Sequence, residues 1–177
     1  LGAAVVPPSP TNIGTTIARI AYFRLTQAIT VANIRWYGIG ATTAIYHIAI
    51  YRASDNVRIS SDNNPNTTLN AWNSIADSFT LDADTLYYVA VAVDTTGTTA
   101  GIMAFTDTTA SNAGAIQVLP TSWPGGLDID RSPVYIEPFA FAQVTVTAGV
   151  LPNPGNAPAA MATTWTGGMP AIFLDAE

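Results

Sequence analysis

Hydrophobic and polar side chains alternate residue by residue through long stretches of this chain. In residues 30–38, TVANIRWYG, Ala32, Ile34 and Trp36 fall on one face and Asn33, Arg35 and Tyr37 on the other. In residues 44–52, AIYHIAIYR, Tyr46, Ile48 and Ile50 oppose His47, Ala49 and Tyr51. A period of two marks a strand with two distinct faces. These runs are also rich in the β-branched and aromatic residues that fit a pleated surface. Residues 17–26 (IARIAYFRLT), 73–81 and 100–105 (AGIMAF) read as further strands. Residues 85–94, TLYYVAVAVD, are apolar on both faces, which predicts a central strand covered on both sides.

Turn chemistry separates these runs. Residues 53–68, ASDNVRISSDNNPNTT, are dense in Asn, Asp and Ser, whose side chains bond nearby backbone. A turn is expected at Asp82–Asp84 and another through Gly97. Residues 107–133 read as loop, including Trp123-Pro124-Gly125-Gly126. Residues 134–148 read as one or two strands, with Pro138 at an edge or bulge because it cannot donate to a ladder. A Pro/Gly/Ala connection follows over 149–168, and MPAIFLDA, residues 169–176, predicts a last strand. No segment carries a helical stripe of useful length. The pattern predicts an all-β fold: an antiparallel β-sandwich, jelly-roll-like, of about 8–10 strands with no substantial helix.

Residues 1–14 contain Pro7, Pro8 and Pro10 and read as an extended N-terminal arm or linker. Residues 15–177 then form a single domain, as the length of 177 residues suggests. The opening LGAAVVPPSP has no initiator Met and no basic segment, so it reads as a linker or the start of a processed or larger chain, not a signal peptide.

Composition narrows the partners. Charged residues make up 10% of the chain, against about a quarter in a typical globular domain. Lysine is absent, the six cations are Arg19, Arg24, Arg35, Arg52, Arg58 and Arg131, and the net charge is -6. Phosphate recognition relies on clustered positive charge, so nucleic acid is not an expected partner. An anionic membrane surface is disfavoured on the same ground, and no run of about 18 apolar residues is present to span one. Sparse charge with 49% hydrophobic residues suits an exterior largely covered by other copies or other proteins. The plainer alternative is a neutral surface of Thr, Asn and Ser.

Candidate chemistry is thin. No cysteine is available for a disulfide or a thiolate metal site. The single histidine, His47, lies mid-strand and reads as a satisfied structural group; no G-x-S-x-G elbow accompanies it. A glycosidase needs two carboxylates across a sugar, yet Glu137 and Glu177 are the only glutamates and most aspartates sit in turns. No cofactor and no enzymatic activity are expected. Calcium is the one ion that the pairs Asp82/Asp84 and Asp128/Asp130 would suit, since it takes oxygen ligands from loops; neither pair has the full spacing of a calcium loop. Trp72, Trp123 and Trp165 fall in or beside loops. They read as packing or interface aromatics first, and as stacking platforms for a glycan second.

Several segments together resemble a β-sandwich module of tailed-bacteriophage virion structural proteins of the head-fibre, decoration or tail-fibre type. They are the aromatic strand AYFRL, the Thr-initiated strand ITVANIRWYG, the strand ending in Ile50-Tyr51 before a polar turn, the turn from Leu81 into Tyr87-Tyr88, and the closing stretch LPNPGNAPAAMATTWTGGMPAIFLDAE. The resemblance spans residues 15–177. Ala49 and Asp84 stand where it leads one to expect Gly; Asp tolerates left-handed turn geometry. It implies a virion-surface location, self-association (a trimer favoured), and phage capsid or tail proteins as partners. A host-surface glycan is a further partner if the module sits at a fibre tip. It supplies no catalytic residues.

Overall fold

The computed structural model describes residues 9–12, 15–40, 45–61, 68, 71–94, 100–105, 133–135, 140–156, 159–160, 169–170 and 172–176. Thirteen strands lie in them: β1 (Ser9–Asn12), β2 (Ile17–Arg24), β3 (Ile29–Gly40), β4 (Tyr46–Arg52), β5 (Val57–Arg58), β6 (Ala71–Leu81), β7 (Leu86–Val93), β8 (Ala100–Phe105), β9 (Pro133–Tyr135), β10 (Ala140–Thr145), β11 (Ala159–Ala160), β12 (Met169–Pro170) and β13 (Ile172–Ala176). No helix occurs among the described residues. Nine strands have four residues or more, in line with the expected number; β5, β9, β11 and β12 have two or three.

The strands form two antiparallel sheets, as the alternating pattern predicts. The larger has seven strands in the order β1-β8-β3-β13-β9, with β6 on the other edge of β3 and β12 against β8. The smaller has six, in the order β11-β10-β2-β7-β4-β5. Successive long strands alternate between the sheets, which is the jelly-roll-like aspect of the topology. The proline-bearing arm contributes β1, paired to β8 from Ser9↔Ala104 to Asn12↔Gly101.

The core between the sheets draws on both. The smaller sheet supplies Ala21, Phe23, Tyr46, Ile48, Ile50, Tyr87, Val89, Val91 and Val93, and the larger supplies Val31, Ile34, Trp36, Ile75, Leu81, Ile172 and Leu174. Strand β7 is buried along both faces from Tyr87 to Val93, as its unbroken apolar run predicts. The expected faces of β4 also hold: Tyr46, Ile48 and Ile50 point inward, while Ala49 and Tyr51 join a second cluster on the outer side of the smaller sheet.

One face assignment is corrected. Strict alternation puts Ala32 beside Ile34 and Trp36, but Val31 is the fully buried residue and Ala32 is only half-buried. The reason is a bulge. The β3–β6 register passes from Val31↔Phe79 to Asn33↔Ala76, so two residues of β6 oppose Ala32. Such an insertion changes which residues face inward on either side of it.

Trp36 stacks near Tyr46 across the core, with ring centroids 6.4 Å apart. Burial pushes the Tyr46 phenol from 10.0 up to about 12. The folded chain therefore keeps a proton that the unfolded chain has already lost. This contribution to stability is full below pH 10.0 and is lost as the pH rises through about 12. In an alkaline absorbance titration, Tyr46→Phe is expected to remove one phenolate that otherwise ionises near pH 12. Loss of a phenolate that ionises at the ordinary value, in a chain still folded, would contradict this.

Candidate binding face

The outer face of the larger sheet brings together groups that are distant in sequence. Ile34 and Trp36 point into the core, so Asn33, Arg35 and Tyr37 of β3 point outward. Register sets their neighbours. On β6, Ala76, Ser74 and Trp72 stand opposite Asn33, Arg35 and Tyr37. On β13, Asp175 stands opposite Asn33 and Phe173 opposite Arg35.

Trp72 is the one sequence-predicted aromatic among the described residues, and it lies within β6, not in a loop. It is half-buried and packs edge-on against Tyr37 (5.7 Å between centroids) and Phe173 (5.4 Å). The Arg35 guanidinium carbon sits 5.5 Å from the Trp72 ring centroid, within cation–π range. Arg35 Nη1 lies 3.7 Å from Asp175 Oδ1. That separation supports Coulomb attraction but is too long for a hydrogen bond. Asp175 is buried, and its Oδ1 has no hydrogen-bond partner. Trp123 and Trp165 fall outside the described residues. Sequence reading placed Arg35 on the polar face of its strand but had no signal for Asp175, which only the β3–β13 register delivers.

The outer face of the smaller sheet is closed. Tyr51 stacks on Tyr88 at 5.0 Å, and Tyr22 meets Tyr88 edge-on at 5.5 Å. The segment after β10 returns across these rings. Tyr51 Oη donates to the Pro152 carbonyl at 2.8 Å, Arg58 Nη1 donates to the Leu151 carbonyl at 2.9 Å, and the Gly155 N–H donates to the Asn56 carbonyl at 2.8 Å. Tyr88 Oη donates to Asn56 Oδ1 at 3.1 Å. Burial, then the neighbouring phenols Tyr51 and Tyr22, hold the Tyr88 proton on well above the usual tyrosine range.

His47 lies on this same outer side, buried, opposite Ala92. Its Nδ1 has no hydrogen bond. Asp94, the residue that follows β7, uses Oδ1 to accept the Ile45 N–H at 3.1 Å. A base oriented by a carboxylate, as in a Ser-His-Asp site, needs a bond at one ring nitrogen, and Asp94 does not supply it at Nδ1. Asp175 is on the far side of the sandwich from His47, with the core between them.

The other described acids bond nearby backbone or stand in a turn. Asp55 accepts from Arg52 Nη2 at 2.6 Å and from the Val57 N–H at 3.2 Å; the Arg52 bond and then the Val57 bond keep its carboxyl below the usual range. Asp77 accepts from the Ser61 N–H at 2.7 Å. Asp82 and Asp84 are exposed in the predicted turn, where the Asp84 N–H donates to the Leu25 carbonyl. Among the described residues no three His, Cys, Asp or Glu side chains come together as a metal cluster. Asp128, Asp130 and Glu137 lie outside those residues.

The arrangement therefore offers polar recognition beside an aromatic ring on one face, and structural closure on the other. No family model matches the chain, and neither a curated protein nor a solved structure matches it. The antiparallel β-sandwich thus rests on the strand pairing itself.

Proposed function

We propose that this chain is a non-enzymatic structural protein of a bacteriophage particle, a capsid-decoration or fibre subunit carried on the virion surface. The observation that carries the structural reading is the way the described polar groups are used. Asp55 and Asp94 fix a turn and a strand end, Asp77 holds the Ser61 backbone, and Tyr51 and Arg58 fasten the 151–155 segment over a sheet. These are the bonds of a scaffold. The resemblance to virion β-sandwich modules supplies the setting, and the low charge suits a chain whose exterior is covered by copies of itself and by capsid or tail proteins. Closed symmetry, a trimer in this reading, is the usual way for identical subunits to cover their faces.

The second reading, a receptor- or carbohydrate-binding module of a tail fibre, is favoured by the Arg35–Trp72–Asp175 group. Imaging of particles carrying the chain separates the two. Decoration places many copies over the capsid. A fibre module places few, on a projecting structure.

A further inference from the structure

The larger sheet ends on the N-terminal arm. Strand β1 is the outermost strand there and pairs with β8 from Ser9↔Ala104 to Asn12↔Gly101. The other side of β8 is held by β3, from Gly38↔Ile102 to Gly40↔Ala100, and by β12 through Met169↔Phe105 and Pro170↔Ala104. Strand β8 is therefore a fixed acceptor, and β1 is a donor laid along it. Among the described strands, β8 is the one with which β1 makes substantial contact. The backbone ladder is what holds the arm.

Such a ladder does not distinguish its own arm from the identical arm of another copy. Exchange keeps the same ladder and costs the entropy of association. Three features of the sequence favour it. Only residues 13–16 separate β1 in the larger sheet from β2 in the smaller, and short hinges invite exchange. Pro7, Pro8 and Pro10 restrict the arm, which lowers the entropy lost when it is laid on a neighbour. The strands SPTN and AGIMAF carry no charge, so two copies at -6 each can meet along this seam without charges opposed in it. Pro10 also has no N–H to offer a further strand, which disfavours plain edge-to-edge growth beyond β1.

We propose that β8 is the acceptor for β1 of a second copy, so that neighbouring copies exchange arms. One arm given and one received per copy closes a ring. The inference rests on the self-association in the proposed function and names the surface that carries it. Particle imaging decides where the chain sits; cross-linking decides whether arms are exchanged.

The chain has no cysteine, so a pair introduced at one register position reports which chains meet there. Directly opposed residues of antiparallel strands lie within disulfide reach. The full chain carrying Ser9→Cys with Ala104→Cys is oxidised and run on a denaturing gel without reductant, beside each single variant. Thr11→Ile102 partners, both changed to Cys, repeat the test one step along the ladder. The expected result is covalent dimers and trimers in the double variants that reductant returns to monomer. A disulfide formed only within one chain, or no disulfide at either position, overturns the proposal. Thr11→Pro, next to Pro10, leaves both positions without an N–H, so whichever faces β8 cannot donate. Light scattering should show association of this variant weakened about tenfold or more. Undiminished association, or a full chain that is monomeric throughout, also overturns it.

Discussion

Trp36→Ala is expected to destabilise the fold by about 3–5 kcal/mol, the largest single loss in the core. Trp36 is fully buried between the sheets, stacked near Tyr46, and belongs to the cluster that joins both layers. Truncation to Ala removes the whole indole and leaves a cavity that the strand frame around it cannot collapse into. Trp36→Phe is the informative companion. The Trp36 indole N–H is buried with no hydrogen-bond partner, and a buried donor without an acceptor costs on the order of 1–3 kcal/mol. Phe removes that donor and keeps most of the ring. Its cost is therefore expected to be about 1 kcal/mol, because relief of the orphaned N–H offsets part of the lost packing. Urea unfolding followed by far-ultraviolet circular dichroism reads both values. Equal losses for Phe and Ala would show that the orphaned N–H is not a stability cost.

Gly149→Ala is expected to cost about 3 kcal/mol or more, through a different mechanism. Gly149 has φ 74°, in the left-handed region, within the turn that bridges Thr147 to Val150. A Cβ added there would lie 2.3 Å from the Val93 carbonyl oxygen and 2.5 Å from its carbon. These are backbone atoms at the end of the central strand β7, so no side-chain rotation relieves the clash. The Gly149 N–H also donates to the Thr15 carbonyl, tying the turn to the chain that enters β2. Its neighbour predicts the opposite response. Ala148 has φ 49°, a conformation that strains a residue with a Cβ by about 1–2 kcal/mol. Ala148→Gly is therefore expected to be neutral or stabilising by up to about 1 kcal/mol. Thermal and urea unfolding of the two variants should move in different directions. A tolerated Gly149→Ala would mean that this turn does not dock on β7 as described.

The contrast between these sites shows what was legible in the sequence. Residues whose role depends on their own strand could be read directly. The continuous apolar run of residues 85–94 became the doubly covered strand β7, and the alternation of residues 44–52 put Tyr46, Ile48 and Ile50 in the core. Asp84, read as tolerating a left-handed turn, has φ 55°. Features that depend on register or on chain return were not legible. Val31 replaced Ala32 in the core because β6 places two residues against one there. The cover over Tyr51 and Tyr88 comes from residues 151–155, far along the chain and apparent only as a Pro/Gly-rich connection. The candidate site shows the same division. The sequence marked Trp72 as an aromatic of interest, but Asp175 reaches Arg35 only because β13 pairs beside β3. The turn residue Asp55 was read correctly as structural, since a short polar side chain near a turn bonds backbone regardless of the tertiary fold.

The virion-surface role is the central claim, and imaging of phage particles that carry this chain tests it most directly. The account predicts density for the β-sandwich on the particle surface, in symmetric copies that contact one another and a capsid or tail protein. A chain found only as a free monomer, with no copy on the particle, would contradict it.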